Sequence, residues 1–307
     1  MMNPKSIKLR QNKKRRILFT GGILIMIGFT CLVAARNRPE EPERYALLIG
    51  GGTAQQDHYE SYYENIEYAA DTLRKLGYRD ENITILFYGG KSQTHATVDF
   101  NATKKNVEIE LKRLAEIIDA DDSLLIFRCG HGMIELIFEE YGILSGDETV
   151  PKNDTVNIAG TAAVMNCPDG SLDYLEFRDM LGKINAAQII VILSQCFSGQ
   201  FADMCATLDN TVVITESDVT ELSFFCTRKT KRWAHDVWPF VKCFFDGLLD
   251  SDRLEGKQTV HAAFQYMLGC NPYIQGMSIK ADRPLLKVTP RIQYGRALRK
   301  GAVYIDK

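Results

Sequence analysis

The sequence lacks an excess of charge of either sign. Its 307 residues include 37 Lys and Arg and 39 Asp and Glu, which gives a formal net charge of -2. Surfaces that bind nucleic acids are strongly basic, so we expect no nucleic-acid partner. Hydrophobic residues make up 45% of the chain and charged residues 25%, which is typical of a folded globular protein.

Ligand spacings typical of metal sites are also missing. The chain has eight Cys and five His, but no two of them follow a CxxC or HxxxH pattern. A zinc site is therefore not expected, and nothing in the sequence indicates another cofactor. Internal repeats and low-complexity tracts are absent too, so the sequence does not predict a repeat protein.

The N-terminal segment does not have the pattern of a folded domain. Seven Lys and Arg residues lie in residues 1–16, and residues 17–35 are uncharged. This run is just long enough to span a bilayer, and its basic flank predicts a cytoplasmic N-terminus with the remainder extracytoplasmic or lumenal. Alternatively, residues 33–35 (VAA) end a cleaved signal peptide of a secreted protein. We favour a single-pass anchor, followed by a linker over 36–43 and one domain over 44–307.

Apolar runs alternate with helical patterns through this domain. The order predicts an α/β fold, a three-layer sandwich in which a mostly parallel sheet of about six strands has helices on both faces. The predicted strands are 45–49, 83–88, 123–129, a run from residue 186 that ends at Cys196, and 211–215. An extended segment is expected at 289–292, and shorter strands or a hairpin at 141–147 and 160–165. The predicted helices are 66–76, 107–118, 173–184, 200–204, 238–249 and 260–268. Asp173 and Glu176 have the spacing of a capping box at the start of the helix 173–184.

Two of the apolar runs end in reactive side chains. The run that begins at residue 186 ends at Cys196, and the run 123–129 leads into His131. Continuous aliphatic runs indicate strands that are buried on both faces of a parallel sheet, and ligands bind at the carboxyl ends of such strands. A thiol and an imidazole at the same edge are the minimum for nucleophilic catalysis.

These two motifs resemble those of the caspase-like cysteine peptidases, which include the legumain-like, metacaspase and caspase families. The resemblance is carried by a strand followed by Gly-His-Gly (130–132) and a later strand followed by Gln-Cys-Phe-Ser-Gly (195–199), and it covers roughly residues 44–295. It implies a caspase-like fold in which Cys196 is the nucleophile and His131 the general base and acid. It also implies an oxyanion hole made by the N–H groups of Gly132 and Cys196.

Specificity is harder to transfer from the family. Legumain-like enzymes and metacaspases have an acidic residue two positions before the cysteine, where this chain has Ser194. Glu216 and Asp218, which follow the strand 211–215, are candidates to replace that acid. We therefore treat Ser194, Glu216 and Asp218 as candidate substrate-binding residues, and we expect residues 53–64 to line the same cleft.

The expected activity is that of a cysteine endopeptidase, which hydrolyses a peptide or protein substrate through a thioester acyl-enzyme. A transamidase or peptide ligase would use the same dyad, and an inactive caspase-like interaction module is the non-enzymatic alternative. Cys129 lies inside a strand and is expected in the core. The remaining cysteines of the domain (167, 205, 226, 243 and 270) could form disulfides in an extracytoplasmic protein, but spacing does not give their pairing. The oligomeric state is also left open.

Overall fold

The chain folds around a six-stranded, mostly parallel β-sheet. We describe a computed structural model over residues 41–52, 59–90, 97–138, 142–143, 158–223, 237–250, 259–274, 288–298 and 303–305. Glu43–Lys307 form one compact unit. The expected basic segment, membrane anchor and most of the linker lie outside the described residues, as does Cys226. Within the described residues, no helix is both long and apolar enough to cross a membrane.

Ten strands and five α-helices make up the described part of the chain. The strands are β1 (Arg44–Gly51), β2 (Ile83–Phe87), β3 (Ser123–Gly130), β4 (Gly132–Phe138), β5 (Gly142–Ile143), β6 (Ile158–Cys167), β7 (Gly170–Asp173), β8 (Gln188–Ser194), β9 (Thr211–Thr215) and β10 (Arg291–Tyr294). The helices are α1 (Tyr59–Lys75), α2 (Lys104–Ile117), α3 (Tyr174–Leu181), α4 (Pro239–Leu249) and α5 (Val260–Cys270), with 3-10 helices over Asp80–Asn82 and Ser198–Ala206.

The large sheet has the strand order β10-β9-β8-β3-β1-β2, and only β10 runs antiparallel to its neighbour. Successive side chains of a strand point to opposite faces of the sheet. Leu48 and Leu125 accordingly pack with α1, α4 and α5, while Leu47 and Leu124 pack with α2, α3 and the longer 3-10 helix. The expected α/β architecture with helices on both faces of a mostly parallel sheet is confirmed.

Local sequence signals explain where two of the helices begin and end. Asp173 caps α3 by accepting hydrogen bonds from the N–H groups of Leu175 and Glu176, in the capping box expected from the sequence. The same helix ends at Leu181 rather than at residue 184, because Gly182 is its C-cap. Gly77 follows α1 with a φ of +84°, a left-handed conformation that glycine adopts without strain.

Strand β4 has no counterpart among the sequence predictions. Its pattern is inverted, since Met133 is 47% exposed and Leu136 43% exposed, whereas Glu135 between them is only 8% exposed. Apolar and polar residues therefore give no period-two signal for a half-buried strand. In the small sheet, with the order β5-β4-β6-β7, β4 lies between the two shorter strands that the sequence predicted. The hairpin interpretation of those two strands is wrong.

A disulfide joins the two helices that pack together on one face of the large sheet. Cys243 in α4 is bonded to Cys270 in α5. This bond settles the pairing of two of the five cysteines that the sequence left open. Cys129, Cys167, Cys196 and Cys205 are free thiols.

We predict that reducing this disulfide lowers the free energy of unfolding by about 3.5 kcal/mol, the loop-closure value for a separation of 27 residues. Denaturant titrations of the wild type with and without reductant measure the change. The Cys243→Ala/Cys270→Ala double variant is the control, and its unfolding curve should not respond to reductant. Recovery of both residues as free thiols from unreduced, denatured protein would show that the bond does not form.

Candidate active site

His131 and Cys196 leave the large sheet side by side. Strands β3 and β8 are parallel neighbours, with Cys129 opposite Ser194 in the register. His131 lies two residues beyond Cys129, and Cys196 lies two residues beyond Ser194, so both are at the carboxyl edge of the sheet. The backbone of Gly132 also touches that of Cys196, since a Cβ atom added to Gly132 would lie 2.3 Å from the Cys196 carbonyl oxygen. Only glycine allows this approach.

The chain turns sharply after Cys196. Phe197 has a φ of 57° and a ψ of 22°, the left-handed conformation that a bulky residue rarely adopts. The longer 3-10 helix begins at the next residue, Ser198, in the region where the sequence predicted a short helix. A strand, a sharp turn and a helix also form the nucleophile elbow of α/β-hydrolases.

Buried hydrogen bonds hold this turn in its strained conformation. The Ser217 hydroxyl donates to the Gln195 carbonyl oxygen over 3.0 Å and accepts the N–H of Ser198 over 3.2 Å. The N–H of Phe197 itself donates to the Glu221 carbonyl oxygen over 2.8 Å. The segment that follows β9 thus fixes the chain on both sides of the cysteine.

Cys196 is the accessible thiol among the free cysteines of the described residues. It is half-buried, whereas Cys129, Cys167 and Cys205 are buried. Burial raises the pKa of all three buried thiols, that of Cys167 to about 11 and that of Cys205 to about 12. A thiol that stays protonated is a poor nucleophile, so these three cysteines are suited to packing rather than catalysis. This placement of Cys129 agrees with its expected position in the core.

The imidazole of His131 packs against an aromatic side chain of α1. The rings of Tyr62 and His131 meet edge to face, with centroids 5.7 Å apart, and Tyr62 also lies 5.1 Å from the ring of Trp238. On the backbone side, the His131 carbonyl oxygen accepts the N–H of Asn166 in β6 over 3.1 Å. Tyr62 belongs to the segment 53–64 expected to line the cleft, of which residues 53–58 lie outside the described residues.

Arg128 is a residue of the site that the sequence analysis missed. Its guanidinium is 1% exposed and folds under the turn at Gly130, where an added Cβ would lie 1.8 Å from Nη1. It donates to the carbonyl oxygens of Gly51, Cys129 and Asn166 over 3.1, 2.6 and 2.9 Å, and so ties together the ends of β1, β3 and β6. The sequence did contain a signal, because Arg128 is a charged residue inside an otherwise apolar strand. Charged side chains are rarely buried without a specific role.

Gln195 was missed as well, although it belongs to the cysteine motif. Its side chain is buried and donates from Nε2 to the Val164 carbonyl oxygen over 3.2 Å. Gln200, in the 3-10 helix, accepts the N–H of the neighbouring Ala163 over 2.6 Å. These two amides connect the cysteine turn to β6 of the small sheet, a contact that sequence spacing cannot reveal.

Ser194 and Glu216, two of the candidate substrate-binding residues, form a buried pair. The Ser194 hydroxyl donates to Glu216 Oε2 over 2.7 Å, and both residues are 0% exposed. Burial raises the pKa of the Glu216 carboxyl to about 8, and the hydrogen bond from Ser194 offsets part of this rise. Glu216 therefore keeps its proton at neutral pH. Its Oε1 atom is buried and has no hydrogen-bond partner within the described residues.

Asp218, the third candidate, has a different environment. Its carboxylate is 22% exposed and is paired with the guanidinium of Arg291. The N–H of Val219 donates to the same carboxylate. Asp218 therefore lies at the surface and is paired with a basic side chain of the same chain, while Glu216 lies beneath the surface close to Ser194.

The site thus joins a half-buried thiol, an imidazole held by aromatic packing, and backbone in close contact at Gly132. This arrangement is suited to attack on a carbonyl carbon. In the described part of the chain, no group of three or more His, Cys, Asp or Glu side chains could hold a metal ion. Comparison with known proteins adds no relative, because no family model matches the sequence and no curated protein is similar enough to be counted as one.

We predict that the stability of the protein depends on pH through Glu216. The unfolded chain ionises this residue at its ordinary pKa of 4.5, whereas the folded chain holds the proton up to about pH 8. The stabilisation is complete below pH 4.5 and decreases as the pH rises towards 8, by up to about 1.4 kcal/mol per pH unit. Denaturant titrations of wild type and Glu216→Gln between pH 4 and pH 9 measure this difference. Asp218→Asn is the control, and parallel pH curves for wild type and Glu216→Gln would contradict the prediction.

Proposed function

We propose that the protein is a cysteine endopeptidase related to the caspase-like peptidases. The observation that carries the proposal is the position of His131 and Cys196 at the ends of two adjacent parallel strands, with Cys196 on a strained turn. Neither residue alone would be convincing, because single buried cysteines and turn histidines are common. Their meeting at the carboxyl edge of the sheet, where α/β enzymes bind ligands, supports the catalytic role.

In the proposed reaction, His131 accepts the proton of the Cys196 thiol and the sulfur attacks the carbonyl carbon of the scissile peptide bond. The negative charge on the carbonyl oxygen is stabilised by the N–H groups of Gly132 and Cys196. The C–N bond then breaks, and the protonated His131 gives its proton to the leaving amine. A water molecule deprotonated by His131 attacks the thioester, which releases the new carboxylate and restores the thiol.

The disulfide between α4 and α5 supports a catalytic domain outside the cytoplasm. Stable disulfides form in oxidising compartments and are rare in cytosolic proteins. The basic segment followed by an uncharged run indicates the same orientation. We therefore propose that the domain is extracytoplasmic or lumenal, attached through the N-terminal segment or secreted after its cleavage.

We predict that Cys196→Ala abolishes both peptide hydrolysis and labelling by peptidyl acyloxymethyl ketone probes, because the nucleophile is removed. His131→Ala should lower turnover by a factor of about 100 or more, since the general base and the general acid are both lost. Turnover of a mixed peptide library, followed by mass spectrometry, provides the measurement. Cys129→Ala is the matched control, and it should keep most of the activity despite some loss of packing.

Thermal unfolding of each variant shows whether a loss of activity reflects a loss of fold. Hydrolysis at the wild-type rate by Cys196→Ala would exclude the proposed nucleophile. A folded wild-type protein that neither cleaves the library nor reacts with the probes would instead favour the interaction module.

We further predict neither a strict Asn preference nor a strong Arg or Lys preference, because residues 52–64 contain no arginine and the Ser194 hydroxyl offers no negative charge. If a preference for basic residues is found, the partly exposed Asp218 should supply it rather than Glu216, which is buried and keeps its proton at neutral pH. Cleavage profiles of Glu216→Ala and Asp218→Ala against the same library decide between these residues. A strong basic preference that persists in both variants would remove both from the specificity site.

A further inference from the structure

Ser223 contacts the proposed nucleophile from the segment that follows β9. Its backbone N–H donates to Cys196 Sγ over 3.3 Å, and its hydroxyl oxygen lies 3.5 Å from the same sulfur. The Ser223 carbonyl oxygen is farther away, at 4.0 Å from the sulfur. The N–H thus makes the closest of the three contacts, and it presents a donor to the atom that becomes negatively charged.

Contacts with the cysteine turn and with Thr289 hold this segment in place. Glu221 accepts the N–H of Phe197 at its carbonyl oxygen, and its carboxylate accepts both the N–H and the hydroxyl of Thr289 over 2.8 Å each. On the helix side, a Cβ added to Gly199 would lie 2.5 Å from the backbone nitrogen of Val219. The glycine therefore allows the two backbones to touch. These contacts anchor the segment up to two residues before Ser223.

A backbone donor that points at sulfur binds the thiolate more strongly than the neutral thiol, because a hydrogen bond to an ionised acceptor is the stronger one. The neutral thiol can donate its own proton to the Ser223 hydroxyl or carbonyl oxygen, whereas the N–H can only donate to the sulfur. We propose that the Ser223 N–H stabilises the Cys196 thiolate and positions the sulfur for attack. This inference rests on the proposed role of Cys196 as the nucleophile.

Other ionisable groups lie on the elements packed around the thiol, and the test must leave them unchanged. His131 follows β3, Arg128 lies beneath the adjoining turn, and Glu216 is buried behind Ser194. Asp218 and Glu221 are on the same segment as Ser223. Substitutions at position 223 alter none of these five side chains, so a changed thiol reactivity can be assigned to the contact at Ser223.

The experiment measures alkylation of Cys196 by iodoacetamide from pH 5 to pH 10, with the modified peptide quantified by mass spectrometry. Ser223→Pro removes the N–H, whereas the matched variant Ser223→Ala removes only the hydroxyl. At pH 7 we expect Ser223→Pro to react roughly tenfold more slowly than wild type, and Ser223→Ala to stay within about twofold. Towards the alkaline end of the range the rates should converge, because strong alkali removes the thiol proton with or without the neighbouring donor.

Two outcomes would overturn the inference. Equal pH profiles for Ser223→Pro and Ser223→Ala would show that the N–H has no effect on the thiol. Faster alkylation of Ser223→Pro at every pH would show that the segment shields the cysteine rather than activating it. The small reagent needs no peptide substrate, so the test can succeed or fail independently of peptidase activity.

A second measurement leaves the backbone intact and covers the case in which Ser223→Pro does not fold. The amide proton of Ser223, observed by nuclear magnetic resonance in protein labelled with ¹⁵N-serine, should move downfield as the thiol ionises. The pH at the midpoint of this chemical-shift change should match the pH at the midpoint of the wild-type alkylation profile. The shift should disappear in Cys196→Ala, and an amide resonance that does not respond to pH in the wild type would contradict the inference.

Discussion

The parallel pairing of β3 with β8 is the constraint on which the rest of the site depends. It sets Cys129 opposite Ser194, and a shift of register by one residue would turn every side chain of one strand to the other face of the sheet. Both strands are buried on both faces, so such a shift would break two cores at once. The pairing therefore fixes the relative position of the backbone at His131 and Cys196 through packing energy.

Beyond the last paired residues, buried polar groups replace the ladder of the sheet. Arg128 ties three strand ends together, Gln195 reaches the small sheet, and Ser217 holds the turn beside the cysteine. A buried polar group without partners costs free energy, so each of these contacts restricts the backbone to one arrangement. Some atoms of these buried groups have no hydrogen-bond partner within the described residues, among them Nε of Arg128, Oε1 of Gln195 and Oε1 of Glu216. For Glu216 the cost is lowered because the carboxyl retains its proton.

The small sheet forms one side of the site. His131 lies between the end of β3 and the start of β4, so it is the junction between the two sheets. Strand β6 contributes to the environment of both proposed catalytic residues, through Asn166 at the histidine and through Val164 at the cysteine motif. Movement of the small sheet would therefore change the geometry of both residues together.

By itself, the sequence determined the layered α/β architecture, the capping of α3 and the two strand ends at His131 and Cys196. These features depend on local signals, since continuous aliphatic runs, capping residues and glycines act on their neighbours in the chain. Only the tertiary structure decided that Glu216 is buried against Ser194, that Cys243 pairs with Cys270, and that Ser223 contacts the thiol. Each of these contacts joins residues at least 22 positions apart, and it exists because the packed sheet and helices bring distant backbone together. The spacing of residues along the chain does not show which distant residues will come into contact.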